Sequence, residues 1–248
     1  MLILFDNPLI FILVLTRISA MLSFSIFFGD KRISSFVKVA LCSIIAILIT
    51  PNINCFIDAS INDATLIIAL FKEFLIGSII GLSTTVISHC FGIAGALVDI
   101  QGGFGMAQVF DPSTKTQSSL MSQLFSTIAL IMFVTNGLHT EMLRIFIKTF
   151  NAIPLGGNIN YINIISLLLK CILMGAAIAI PVISIVFMID IILGISAKTM
   201  PQISLFSVGF MIKCFATIFF VYLYTIAFSN LTRYVTNVVF SFITNNLL

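Results

Sequence analysis

Charge is what this sequence has least of. Only 8% of its 248 residues are Asp, Glu, Lys or Arg, against roughly 25% in an average soluble domain. A compact soluble core cannot absorb the 60% of residues that are hydrophobic, so most of them must face lipid or partner subunits. The net charge of +3 comes with no basic run and no interleaving of basic and aromatic residues, so nucleic acid is not an expected partner. Catalytic signatures are missing as well: no G-x-S-x-G and no glycine-rich phosphate loop ending in Lys. His89 and His139 stand alone, and the spacing of His139 to Glu141 fits neither H-E-x-x-H nor a nucleophile–base pair. Neither an enzyme nor a cofactor is expected. Cys42, Cys55, Cys90, Cys171 and Cys214 are far apart, mostly inside apolar runs and without a C-x-x-C. They read as small apolar fillers rather than disulfides or metal ligands. The first hydrophobic segment is expected to stay in the mature protein, because Asp6 replaces a basic leader and no small-x-small cleavage site follows.

What is present is a series of long apolar blocks. Six can be read: Pro8 to Phe28, Ile33 to Thr50, Ala64 to Ile100, Gln123 to Leu138, Ile162 to Ser196, and Ile203 to Phe228. Each is read as long enough to span about 30 Å of hydrocarbon at about 1.5 Å per residue. An amphipathic stretch, Glu141 to Phe150, follows the fourth, and a polar-flecked tail with Arg233, Asn237, Asn245 and Asn246 follows the sixth. The third and fifth blocks are overlong, which suggests tilted, broken or hairpin helices. Pro181 lacks an N–H and clashes with the preceding turn, so a kink or break is expected there. In the third block Gly77, Gly81, Ser88, Gly92 and Gly95 share a narrow sector of one helical face. Such a stripe lets another helix approach closely; the alternative is glycines scattered as in any membrane helix.

Lys31, Arg32 and Lys38 against Asp30 in the first connection, and Asp58 and Asp63 in the second, place the N-terminus outside and the first loop in the cytoplasm. Arg144 and Lys148 do not fit one crossing per block. Arg17, Lys72, Glu73, Asp99, Lys170, Asp190 and Lys213 lie within or beside the apolar blocks, where a charge at a helix centre costs about 2.5–3.5 kcal/mol. Mutual pairing is the expected solution, a proton or ion path the alternative. The segment Gln101 to Thr114 is unusual. Gly102, Gly103 and Gly105 disfavour regular helix and Asp111-Pro112 signals a turn, yet Phe104, Met106, Val109 and Phe110 are too apolar for a solvated connector. Either the loop closes an aperture between subunits or it is a re-entrant turn buried between helices.

These residues carry a resemblance. Arg17-Ile-Ser-Ala with Phe28-Gly29 and Lys38-Val-Ala-Leu, then Lys72-Glu73-Phe-Leu-Ile-Gly77 with Ile80-Gly81, resemble the opening and second helix of the FliR family. Ala94-Gly95, Asp99, Gln101, Gly103, Phe104, Ala107 and Asp111-Pro112 match its central signature. Asn136-Gly137, His139, Pro154-Leu155-Gly156, Pro181-Val182, Gly194, Pro201-Gln202, Phe206, Gly209-Phe210 and Lys213 match the remainder. Thr199-Met200 departs where many members carry Ala before Pro-Gln. Each match is common alone; their order along one chain is specific.

The resemblance implies an all-α, membrane-type fold of kinked helical hairpins in one architectural unit, similar to a FliP-like unit joined to a FliQ-like hairpin, with a possible sub-boundary near 151–161. It implies a subunit of the flagellar type III export gate in the bacterial inner membrane at the basal body, or the equivalent subunit of a virulence system. FliP-like, FliQ-like and FlhB-like subunits are the implied partners and unfolded polypeptides the cargo. The implied pore plug comprises Gly102, Gly103, Phe104, Gly105, Met106, Ala107, Val109, Phe110, Asp111 and Pro112. A secondary transporter with broken helices is a more distant reading, and its two similar halves are not visible; a scaffold without a pore is another.

Overall fold

A computed structural model describes residues 8–26, 28–29, 33–52, 63–104, 109–111, 116–157, 164–199 and 205–247. The fold is all-α. Among the described residues there are seven α-helices, a 3-10 turn (Thr50–Asn52) and one small β-ribbon. The helices are α1 (Pro8–Phe24), α2 (Ser35–Ile49), α3 (Asp63–Gly102), α4 (Leu120–Thr135), α5 (Leu138–Ala152), α6 (Ile164–Thr199) and α7 (Leu205–Leu247).

Several helix ends follow from local chemistry. Ser34 caps α2, its hydroxyl accepting the Val37 N–H, which satisfies one of the open donors of the first turn. Gly137 separates α4 from α5 with φ 70°, a left-handed conformation open to glycine at little cost. Three helices are long and apolar enough to cross a membrane, within Thr65–Gly102, Ser166–Ser196 and Gly209–Asn245, and the broken pair α4 and α5 makes a fourth if counted as one span. Among the described residues the six blocks therefore do not become six full spans. Helices α1 and α2 have 17 and 15 residues, about 26 and 23 Å of helix. The apolar runs that suggested longer spans include residues beyond the helix ends.

One further expectation is corrected. Helix α6 runs through Pro181 without interruption, so the break expected there is not made. An interior proline removes one backbone bond, and neighbouring helices and apolar packing can carry that loss in a membrane helix. The polar-flecked tail is also helical, as the last part of the 43-residue α7. Thr232 donates to the Phe228 carbonyl at 2.8 Å and Thr244 to the Ser241 carbonyl at 3.0 Å, so these polar side chains are satisfied on their own helix.

The chain forms two compact units, each from non-contiguous segments. The first takes Met1–Val86, Gly137–Leu167 and Thr236–Leu248. Its core holds Leu13, Val14, Ile18 and Met21 of α1, Ile76 and Ile80 of α3, and Met142, Phe146 and Phe150 of α5, all buried. The second takes Ile87–Asn136 and Leu168–Val235. Phe228 sits at its centre, with ring centroids 5.4 Å from Phe91 and 5.0 Å from Phe125. Within this unit α6 and α7 run antiparallel. A Cβ on Gly209 would lie 3.2 Å from Leu193, Asp190 pairs with Lys213, and Pro181, Val182 and Ile185 share a recess of about 200 Å³ with Phe220, Leu223 and Tyr224. Much of this hairpin's apolar surface is open: Leu173 is 69% exposed, Phe215 77% and Ile226 80%. Surfaces of that kind belong in lipid or against other subunits.

Candidate functional site

The glycine-rich loop leaves the C-terminal end of α3 and returns to the start of α4, both in the second unit. Its first residues are tightly placed. Gly102 is buried, and a Cβ there would come within 2.8 Å of the Thr217 hydroxyl, so any side chain at this position requires Thr217 of α7 to shift. Gly103 has φ 81° and lies under the Phe210 ring, 3.2 Å from an added Cβ. The Cys214 thiol approaches the Gly102 carbonyl at 3.8 Å. One residue earlier, the Gln101 side-chain amide donates to Asp190 at 3.0 Å, and Asp190 is ion-paired with Lys213.

The returning side is held differently. Strand β1 (Val109–Asp111) pairs antiparallel with β2 (Thr116–Ser118), in the register Val109 to Ser118, Phe110 to Gln117 and Asp111 to Thr116. The chain thus reverses between Asp111 and Thr116, and α4 begins at Leu120. The expected plug ended at Pro112; Thr116 to Ser119 also lie outside the helices. Gly105, Met106, Ala107 and Pro112 lie outside the described residues, as do Asp30, Lys31, Arg32 and Asp58 of the first two connections. A ribbon of two three-residue strands is marginal alone, so the anchoring of its ends matters. Asp99 supplies that anchor. Its carboxylate accepts the Met121 N–H at 2.9 Å, while Ser119, at the cap position, makes no side-chain cap bond. A carboxylate on the open N–H groups of a helix start is favoured both as a hydrogen bond and by the helix dipole.

The small-residue stripe meets two partners, one in each unit. Gly77 and Gly81 face α1: a Cβ on Gly77 would collide with the Arg17 carbonyl, and one on Gly81 would lie 2.5 Å from that of Met21. Gly92 and Gly95 face α4, where a Cβ on Gly95 would lie 2.5 Å from the Ser122 Cα, and the Ser122 hydroxyl donates to the Gly92 carbonyl at 2.9 Å. Gly175 of α6 adds a third close approach, 2.7 Å from an added Cβ to the Cys90 carbonyl. Near it the thiols of Cys90 and Cys171 lie 3.0 Å apart, both buried. Ser88 is half-buried.

Of the seven charged residues in apolar surroundings, four form two pairs. Arg17 and Glu73 are fully buried in the first unit. Arg17 donates from Nε and Nη2 to the two Glu73 oxygens, the second at 3.0 Å, and from Nη2 to the Ile153 carbonyl at 3.2 Å. Its guanidinium carbon stands 4.3 Å from the Phe150 ring centroid. Glu73 also accepts the Gly156 N–H at 2.9 Å, and Lys72 donates to the Gly156 carbonyl at 3.4 Å. The pair therefore ties α1 to α3 and to the turn after α5. Asp190 and Lys213 form the second pair. Asp99 takes a helix start instead of a cation, and Lys170 is exposed. Sequence reasoning singled these residues out but could not assign their partners, which lie 56 residues away for Arg17 and 89 for Gln101. Among the described residues no group of three or more His, Cys, Asp or Glu could hold a metal ion.

Comparison with known proteins accords with this layout. The model of the family described as bacterial export proteins, family 1, matches residues 9–238. Flagellar biosynthetic protein FliR of Bacillus subtilis (strain 168) is 30% identical over 210 residues, covering 82% of this chain and 81% of that protein. FliR of Escherichia coli (strain K12) is 24% identical over 200 residues, covering 79% and 76%. Surface presentation of antigens protein SpaR of Shigella flexneri is 22% identical over 225 residues, covering 88% of each. The match runs from α1 into α7 and takes in both ends of the glycine-rich loop, so the chain belongs to the bacterial export proteins, family 1, the family of FliR.

Proposed function

We propose that this chain, a membrane subunit of a type III export apparatus, forms with FliP-like and FliQ-like subunits the channel through which unfolded flagellar proteins cross the bacterial inner membrane at the basal body. An FlhB-like subunit is a further partner. The segment Gly102 to Pro112 is the plug of that channel at rest. One observation carries this reading. A loop rich in glycine and large apolar side chains is tied down at both ends, by Gln101 to Asp190 and by Asp99 to the start of α4. Fixed ends and a sequence rich in glycine and large apolar residues between them suit a barrier that excludes water and yields to a passing chain. The open apolar face of α6 and α7 supports their assignment as the FliQ-like hairpin and suits coverage by neighbouring subunits; the sub-boundary near 151–161 then divides it from the FliP-like part. Energy and nucleotide binding fall to other components.

The likeness to SpaR favours a second reading, the equivalent subunit of a virulence system. Flagellar use is preferred because FliR proteins share up to 30% identity with this chain and SpaR 22%. Restoration of motility in a strain lacking its own FliR separates the two. The plug is tested by deleting Gly103 to Phe110 and measuring ion leak through the assembled complex. A leak is expected; an assembled deletion as tight as the unaltered protein refutes the plug. The milder Phe110→Ser, run in parallel, covers the case in which the deletion does not assemble.

A further inference from the structure

The two ion pairs differ in one respect that bears on the loop. Arg17 and Glu73 are wholly buried, whereas Lys213 and Asp190 are 27% and 28% exposed. A buried pair is trapped; a partly exposed one can exchange its partner for water or for another charge. Replacing a pair inside an apolar contact by hydrophobic residues is often neutral or stabilising, so fold stability alone gives little reason for Asp190 and Lys213 at this position.

Its surroundings supply a reason. Phe210, Lys213, Cys214 and Thr217 are spaced as one face of α7, and three of them meet the end of α3 directly. Phe210 lies against Gly103, Cys214 against the Gly102 carbonyl, and Thr217 against Gly102 itself. Lys213 makes its contact through Asp190 of α6, which in turn accepts the Gln101 amide at 3.0 Å. The cation thus sits on the same helix face that covers the C-terminal end of α3, where the helix dipole favours positive charge. Van der Waals contacts and the Cys214 thiol place that helix end; among the described residues the Gln101–Asp190–Lys213 chain bonds side chains of all three helices together.

We propose that Gln101, Asp190 and Lys213 are a latch. While the three are bonded, the last turn of α3 stays docked on α7 and the loop's first end is fixed; when the ion pair opens, that end is released. All three act as positioning residues. The consequence for export rests on the reading of the loop as the channel's plug, but the docking itself does not, and the two can be read separately.

Native Cys214 reports docking, because its thiol faces the Gly102 carbonyl. In the assembled complex, the rate of its modification by a maleimide should rise about tenfold in Asp190→Asn and in Gln101→Leu, the change that loss of one charge-assisted hydrogen bond supports. Buried Cys90 and Cys171 should remain unmodified. The charge exchange Asp190→Lys with Lys213→Asp should return the rate towards that of the unaltered protein. Ion leak through the same samples should rise and fall with the Cys214 rate. An unchanged Cys214 rate in both single variants overturns the latch. So does parallel labelling of Cys90 and Cys171, which marks general loosening, or a charge exchange that labels as fast as Asp190→Asn. Faster Cys214 labelling without leak leaves the latch standing and overturns the plug. Gln101→Leu leaves the ion pair intact, so it carries the test if Asp190→Asn does not assemble.

Discussion

Removing Glu73 is the sharpest test of how the first unit is held. In Glu73→Ala the Arg17 guanidinium loses both carboxylate oxygens and keeps the Ile153 carbonyl at 3.2 Å and the Phe150 ring at 4.3 Å. The Gly156 N–H loses its acceptor in the same step. Arg17 Nη1 already has no hydrogen-bond partner, so the cation has no spare bond to fall back on. A desolvated cation over an aromatic face gains about 2 kcal/mol, too little to hold a buried charge. Breaking a buried pair from one side costs about 3–5 kcal/mol, and that is the expected loss. Arg17→Met combined with Glu73→Leu removes the charge with its partner. It should lie within about 1 kcal/mol of the unaltered protein, the residue being the unmet Gly156 N–H. Denaturant titration of the purified protein in detergent, followed by helical circular dichroism, measures both. If Glu73→Ala loses less than about 1 kcal/mol, or the double variant is no more stable than the single, the pair does not bind α1 to α3 as described.

Two more outcomes follow from the helix contacts. Gly95→Ala should destabilise more than Gly92→Ala: the new Cβ meets backbone at Ser122 in the first and the rotatable Ser126 hydroxyl, at 3.0 Å, in the second. A gap of about 1–3 kcal/mol is expected from overpacking, and equal melting temperatures would refute it. Asp99→Ala should cost about 0.5–2 kcal/mol through loss of the cap on α4, seen as faster hydrogen exchange confined to the first turn after Leu120. Unchanged exchange there would show that the Asp99 bond does not hold the loop's return.

Apolar content made the helices legible, and their partners were not. The stripe of Gly77, Gly81, Ser88, Gly92 and Gly95 reads as one surface for one neighbour, because a helical projection discards distance along the axis. Helix α3 is 40 residues long, about 60 Å, whereas α1 and α4 are about 26 and 24 Å. The stripe from Gly77 to Gly95 takes up about 27 Å of that length, and its two halves lie against different helices, Gly77 and Gly81 against α1 and Gly92 and Gly95 against α4. The tail of α7 reads in sequence as polar-flecked because Thr, Ser and Asn interrupt its apolar run. Hydropathy does not register that hydroxyls such as that of Thr232 bond back to the preceding turn. Of the kink or break expected at Pro181, the break is not made for a related reason: the missing N–H is one bond in a ladder of a 36-residue helix.

Charges were legible as exceptions and illegible as a set. Arg17 with Glu73, and Lys213 with Asp190, each join one basic and one acidic residue in apolar flanks, and neither pair has a helical spacing that joins its members. Fold topology brings them together, and burial separates their behaviour, fully enclosed in one pair and about one quarter exposed in the other. The enclosed pair resists exchange, because separating it strands a charge in a medium that cannot solvate it. The half-open pair can be parted at far lower cost, since water reaches both groups. Within one chain the same chemistry therefore suits a fixed joint between α1 and α3 and a releasable one at the end of α3, where the glycine-rich loop begins.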